Sequence, residues 1–391
     1  MSTFKTVFVR VYVPIKAMIG KLICGAFSVL PLQDKVVFSN FSGKCYGDNP
    51  RYISEKLHEN NPDIQIVWLQ HKGYSFDVPD YVKVVQWPSV DMFYELATAK
   101  VWVDSHSKPV YIWKRKGQFY IETWHGGLGM KKIELDAEEQ FDYGYLATTK
   151  HNVKLADLFI SNCTWLSELY RRAFQYKGEI LECGYPKNDI FFQNDNSRVQ
   201  TKVRKQLGLH EDERIVLYAP TFRNGGDHSW FDIDLDRLYQ ELIRKYNGKW
   251  TVLVKLHPMM MHEGKVLFQQ NDHIKDVSAY PDMQELIIAT DVYITDYSSG
   301  IFDFSFLKRM GLLYASDYQK YQKEQRELYW DLRELPFPFA DDMDELIANI
   351  DQFDECTYKQ ALEDYYDLVG LKESGSAAEQ IAELILKKIR R

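Results

Sequence analysis

The sequence predicts an α/β protein made of two doubly wound halves facing a cleft. Three observations carry that expectation. Short β-branched and aromatic runs alternate with helical patterns along most of the chain. The alternation pauses at a polar stretch containing Asn188, Gln193, Asn194, Asp195, Asn196 and Ser197, and then resumes. The length, 391 residues, suits two domains of ordinary size.

Hydrophobic residues make up 45% and charged residues 27%, an ordinary globular balance that excludes a disordered, collagenous or coiled-coil chain. With 48 basic against 56 acidic side chains the net charge is −8, the wrong sign for a general nucleic-acid binder. Cys24, Cys45, Cys163, Cys183 and Cys356 are scattered, with no C-x-x-C pair, so neither a disulfide framework nor a zinc site is written here. That usage suits the cytoplasm.

Residues 1–33 hold no acidic side chain but carry Lys5, Arg10, Lys16 and Lys21 among apolar residues. The cations recur too often to leave the roughly 18–20 apolar residues a membrane span needs, and Pro14 interrupts the pattern. No separate n- and h-regions and no A-x-A-like site mark a cleaved signal peptide. A basic, acid-free, amphipathic segment fits the surface of an anionic membrane. The other reading packs it on the chain's own core, where four cations are awkward.

The elements follow in order. Lys35–Ser39 reads as a strand, then a glycine-rich turn over Ser42–Gly47, then a helix from Asn49-Pro50 with Tyr52, Ile53 and Leu57 on one face. Ile64–Leu69 and Val82–Val85 are strands, a helix lies near Ser89–Ala99, and Lys100–Asp104 and Phe119–Trp124 are strands. Beyond the polar stretch come strand Ile215–Ala219, helix Asp234–Tyr246, strand Trp250–Lys255, helix Met283–Ala289 and strand Asp291–Thr295. Ala377–Ile389 closes the chain as an amphipathic helix. Such alternation implies parallel sheets with crossover helices. The expected division is a membrane-associating segment over 1–33, a first domain over 34–195 and a second over 196–391, the final helix free to pack back on the first.

Open parallel sheets bind ligands at the carboxyl ends of their strands, so four strand ends matter most. Thr123-Trp124-His125-Gly126-Gly127 places an imidazole, the group best matched to proton transfer near neutral pH, on a loop that a ligand can approach. Tyr218-Ala219-Pro220-Thr221-Phe222-Arg223 runs into Asn224-Gly225-Gly226; the Arg223 fork suits phosphate or an ion pair. In Lys255-Leu256-His257-Pro258, strand alternation puts Lys255 and His257 on one side. Thr295-Asp296-Tyr297-Ser298-Ser299-Gly300 leads into an apolar helix, where free N–H groups and two hydroxyls make either an anion site or an ordinary cap. No nucleoside-triphosphatase loop motif is present.

These strings, together with Gly184-Tyr185-Pro186-Lys187-Asn188-Asp189 and the segment from Phe302 to Tyr321, resemble the CDP-glycerol glycerophosphotransferase family of bacterial teichoic-acid primases and polymerases over roughly residues 35–365. The resemblance implies a GT-B-like fold of two Rossmann-like domains, with the nucleotide donor mainly on the C-terminal one, and peripheral attachment at the cytoplasmic face of the membrane. It implies transfer of glycerol phosphate from CDP-glycerol to a hydroxyl of a polyprenyl-diphosphate-linked saccharide, with release of CMP, in wall teichoic acid or a related capsule or envelope polymer. His125 and His257 match the family's two motif histidines. His125 is expected to be the base; His257, Thr221, Arg223, Lys255, Thr295, Asp296, Ser298 and Ser299 to hold the donor; and Gly126, Gly127, Lys131 and Lys132 to face the acceptor. Where the family often continues with a Thr-Pro-like pair, this chain has Gly127-Leu128-Gly129-Met130, which leaves the acceptor open.

This reading calls for no cofactor, no metal and no nucleic acid, and is compatible with a homo-oligomer. CDP-ribitol as donor, a GT-B nucleotide-sugar glycosyltransferase, and a non-catalytic membrane scaffold are the alternatives. Number of units added and polymer type are not written in the sequence.

Overall fold

Seven runs rich in Val, Ile, Phe, Tyr and Trp pair into one sheet: β1 (Gln33–Ser39), β2 (Gln65–His71), β3 (Val82–Trp87), β4 (Ala99–Asp104), β5 (Phe119–Glu122), β6 (Leu158–Ser161) and β7 (Glu179–Glu182). Six more form a second: β8 (Arg214–Tyr218), β9 (Trp250–Val254), β10 (Ile274–Asp276), β11 (Val292–Thr295), β12 (Met310–Tyr314) and β13 (Phe339–Ala340). The strand orders are β3-β2-β1-β4-β5-β6-β7 and β10-β9-β8-β11-β12-β13. Every pairing is parallel. Each sheet therefore reverses its order once, between β1 and β4 and between β8 and β11, the doubly wound pattern of a Rossmann-like domain. The computed structural model describes residues 3–223, 228–257, 260 and 264–390. Asn224-Gly225-Gly226 and Pro258, named above, lie outside them.

The central strands are apolar on both faces because helices cover both. In β4 only Lys100 escapes full burial, and β9 is buried throughout. Helices begin where a side chain accepts an orphan N–H: Ser89 from Met92, Asp142 from Tyr145, Asp234 from Arg237 and Asp282 from Glu285. Each such cap contributes about 1 kcal/mol.

The chain forms two compact units. The first comprises Met1–Gly126, Ile133–Asp189 and Leu371–Arg391; the second, Gly127–Lys132 and Ile190–Gly370. The switch at Asp189 has a local cause. The Asp189 carboxylate accepts the N–H groups of Ala377 and Ala378 at 3.0 and 2.7 Å within the first unit. Phe191 and Phe192 pack on Phe306 in the second.

Pro14, expected to interrupt the N-terminal pattern, lies inside one helix, Thr3–Phe27. That helix packs on helices Val90–Thr98 and Tyr143–Leu155 of the first unit. Gly20 lets it approach closely, since a Cβ there would stand 2.0 Å from the Tyr111 carbonyl oxygen. Trp113 Nε1 donates to Ala17 O at 3.1 Å. Lys16 and Lys21 lie over the rings of Tyr111 and Trp113 at 4.6 and 5.0 Å. The outer face shows Val11, Ile15, Met18 and Leu22 at helical spacing, each 47–69% exposed. No helix among the described residues is long and apolar enough to cross a membrane.

Candidate active site

In the first unit the chain leaves β5 at Glu122, two residues earlier than the run of apolar residues suggests, and turns sharply. Trp124 takes φ +54°, left-handed for a bulky residue. The buried Glu122 carboxyl holds the turn: Oε1 accepts Trp124 N–H at 3.1 Å, while Oε2 accepts Tyr120 OH at 2.8 Å and Asn152 Nδ2 at 2.7 Å. Burial, reinforced by Asp104, pushes Glu122 up to about 8.

The turn presents His125. Its Nδ1 lies 3.0 Å from Ser105 O at the end of β4. A carbonyl can only accept, so Nδ1 carries the proton and Nε2 is the lone-pair nitrogen. Desolvation, then the neighbouring His106 and Lys187, push the imidazole down to about 3, so the ring is neutral at physiological pH. Phe41, His106 and Trp124 surround it with ring centroids 4.3–5.5 Å away. Ser105 Oγ bonds Asn40 Oδ1 at 2.5 Å, which ties the ends of β1 and β4 together at the point where the strand order reverses.

In the second unit the reversal point lies between β8 and β11, and Thr221, Arg223 and Asp296 stand just past those strands. Thr295 Oγ1 donates to Ala219 O at 2.6 Å, joining the two ends. Thr221 N–H donates to Asp296 at 2.9 Å. Arg223 is buried and its five N–H groups all have protein acceptors. Nε donates to Asp317 Oδ2 at 2.8 Å, Nη1 to Thr221 O and Oγ1 at 2.6 and 2.8 Å, and Nη2 to Asp296 Oδ2 and Asp317 Oδ1 at 2.8 and 3.1 Å. Trp230, Tyr297 and Tyr321 box the guanidinium at 4.6–4.9 Å. Tyr297 donates to Asp317 at 2.9 Å and stacks on Tyr321 at 3.6 Å. Of the sequence's two options for Arg223, the ion pair is what the geometry displays. A cavity of about 330 Å³ borders this cage, lined by Ser229, Trp230, Asp232, Asp317 and Lys320.

Lys255 and His257 do not share a strand face, because β9 stops at Val254. Lys255 turns inward to the carbonyls of Tyr280 and Ser278 at 2.6 and 3.4 Å, and burial pushes it down to about 8. His257 is exposed near Phe222. Although the residue keeps an open face, protein packed around its ring, and then the charge of Lys131, lower its pKa.

Lys131 thus belongs with the second unit, although it follows His125 closely in sequence. Segment 127–132 leaves the first unit after Gly126. It pairs with the chain around Leu328: Lys131 bridges Leu328, Lys132 N–H donates to Glu327 O at 2.9 Å, and Lys132 Nζ pairs with the Glu327 carboxylate. Desolvation pushes Lys131 down to about 8, with Arg223 and Arg326 lowering it further and Asp296 opposing.

Ser298 and Ser299 are half-buried at the start of the short helix Gly300–Ser305; Ser298 Oγ accepts Gly300 N–H at 3.2 Å. Among the described residues no three His, Cys, Asp or Glu side chains group to hold a metal ion.

Sequence reasoning left several participants without a role. Tyr297, Asp317 and Tyr321 fall inside quoted strings, but Trp230 and His106 carry no motif. Their juxtaposition with Arg223 or His125 is purely tertiary.

A family model described as CDP-glycerol:poly(glycerophosphate) glycerophosphotransferase matches residues 25–387. A teichoic acid poly(glycerol phosphate) polymerase of Bacillus subtilis (strain 168) is 33% identical over 376 residues, covering 92% of this chain and 50% of that protein, so the chain spans half its length. A polymerase of the same name from Bacillus spizizenii is 30% identical over 99% of this chain and 98% of that one. Among solved structures, the wall teichoic acid polymerase TagF, a variant soaked with CDPG, superposes with a TM-score of 0.80 at 26% identity, covering 100% of this chain and 99% of that one.

Proposed function

The chain belongs to the CDP-glycerol:poly(glycerophosphate) glycerophosphotransferase family, and from that premise we propose that it transfers glycerol phosphate from CDP-glycerol to an acceptor hydroxyl in teichoic-acid synthesis. The observation that carries the reading is the His125 tautomer. With Nδ1–H donated to Ser105 O, Nε2 is the nitrogen able to take a proton, and the ring is neutral.

The acceptor hydroxyl attacks the phosphorus that bears glycerol. Its proton passes to Nε2, the bond from that phosphorus to the bridging oxygen breaks, and CMP leaves. In-line positioning and neutralisation of phosphate charge supply the rest of the catalysis. Lys131, His257, Ser298 and Ser299 hold the diphosphate from the second unit. Lys131 therefore moves from the acceptor side to the donor side, because Asp296, Arg223 and His257 are its electrostatic neighbours. Arg223, with every donor committed, fixes Thr221, Asp296 and Asp317 at the strand ends and acts as a positioning residue. Thr295 and Lys255 serve the same scaffold through backbone carbonyls.

The acceptor is lipid-linked, and the helix Thr3–Phe27 docks on the cytoplasmic face of the membrane. Its exposed Val11, Ile15, Met18 and Leu22 support this, with Arg10, Lys16 and Lys21 to either side of that stripe.

Incubation with CDP-glycerol or CDP-ribitol and a lipid-linked acceptor, followed by mass analysis, tests the reading. CDP-glycerol should be consumed with CMP release. His125→Ala should lower turnover by about 10²–10⁴-fold while calorimetric donor affinity stays level. Near-normal turnover in that variant, or a loss confined to donor affinity, counts against the assignment.

A further inference from the structure

We propose that Asn49, Tyr185 and Lys187 form a cradle that aims His125, which makes the Gly184–Asp189 loop a positioning element of the transfer reaction. The inference deepens the assignment of His125 as base and rests on it.

Three consecutive carbonyls of the catalytic loop each meet a side-chain donor. Asn49 Nδ2 reaches Trp124 O at 3.3 Å, Lys187 Nζ reaches His125 O at 3.5 Å, and Tyr185 OH reaches Gly126 O at 3.0 Å. Loop carbonyls ordinarily face water. Here the donors come from the first turn of helix Asp48–Asn60 and from the segment after β7, and all three are buried. The donors are also locked to one another, because Lys187 N–H donates to Asn49 Oδ1 at 3.2 Å.

The segment that carries Tyr185 and Lys187 is itself held. Tyr185 OH bonds Tyr170 OH at 2.7 Å, and Tyr185 N–H donates to Glu373 Oε2 at 3.1 Å. Asn188 Nδ2 donates to Glu373 Oε1 at 2.7 Å. Gly184 sits at φ +87°, where a Cβ would lie 2.7 Å from Glu373 Oε2, so glycine favours this path.

The need for a cradle follows from Trp124. A left-handed tryptophan persists only where its surroundings over-determine it. Ser105 O orients the ring of His125; the cradle orients the backbone that bears the ring. Charge adds a second effect. The groups facing His125 are Lys187 from the loop after β7 and His106 from the loop after β4, with Lys44 and Asp104 acting in turn on His106. The Lys187 ammonium lowers the proton affinity of the base.

The test measures CMP release against pH, calorimetric CDP-glycerol affinity and thermal unfolding for Tyr185→Phe, Lys187→Met, Lys187→Arg and His125→Ala. Tyr185→Phe and Lys187→Met should lower turnover per folded molecule by roughly 10–100-fold with donor affinity unchanged. Removing the Lys187 charge raises the pKa of His125, so the acidic limb of the profile should move to higher pH in Lys187→Met and return in Lys187→Arg. Wild-type turnover and an unmoved limb in Tyr185→Phe and Lys187→Met, with His125→Ala inactive, would overturn the cradle alone. An active His125→Ala would overturn the base assignment and the cradle together.

Discussion

Replacing Arg223 with lysine keeps the charge and removes the fork. The guanidinium pairs with Asp296 and Asp317, and its side chain and that of Asp296 are 5% and 2% exposed. An ammonium has three donors on one atom and cannot span two carboxylates and Thr221 together. One carboxylate then stays buried without its partner, a change that costs about 3–5 kcal/mol. For a domain of this size each kcal/mol shifts the melting temperature by roughly 2–4 °C, so the second unit should melt roughly 6–20 °C lower. Calorimetric scans of Arg223→Lys, followed by donor titration below the transition, make the measurement. The first unit's transition should stay in place. If the second unit's transition also stays and only CDP-glycerol affinity falls, the guanidinium is a substrate ligand and its assignment as a positioning hub is wrong.

Lys131, pushed down to about 8 by burial, is cationic below that pH and neutral above it. CDP-glycerol affinity should therefore fall as pH rises through about 8, and Lys131→Met should weaken binding at pH 7 by roughly 1.5–3 kcal/mol and abolish the dependence; a flat affinity profile in the wild type removes Lys131 from the donor site. On the N-terminal helix, Ile15→Glu with Leu22→Glu should reduce sedimentation with anionic vesicles. Raised salt should weaken wild-type binding through Arg10, Lys16 and Lys21, each contributing about 1 kcal/mol near such a surface; vesicle binding that survives both changes returns the stripe to another purpose.

The central strands are legible in the sequence because a strand buried on both faces needs an unbroken apolar run, as in β1, β4, β8 and β9. Strands β6, β7, β10, β12 and β13 are not. Runs such as Leu158–Ser161 or Ile274–Asp276 are too short for their period to separate strand from helix. The strand-end rule picked out His125, Thr221 and Asp296 from residues alone, since each follows an apolar strand directly. What it could not supply is partnership. Asp296 and Asp317 lie 73 and 94 residues from Arg223, and no local pattern announces that they neutralise it. Lys131 illustrates the opposite case. Nearness in sequence to His125 suggests a shared neighbourhood, but the backbone changes unit between Gly126 and Gly127.

That change of unit is one of several, and it bears on the order in which the protein can be completed during synthesis. The second unit ends at Gly370, so all of its residues are made before Leu371–Arg391. The first unit, most of which is made earlier, lacks Leu371–Arg391 until the whole second unit has been made. Only then can helix Ala377–Ile389 lie along helix Asp48–Asn60, with Asn60 Nδ2 donating to Glu379 Oε1 at 2.7 Å across 319 residues of chain. Closing so long a loop is slow, and the uncovered edge is exposed to misassembly meanwhile. The half that carries His125 therefore waits, for its own closure, on a segment that follows the entire second unit.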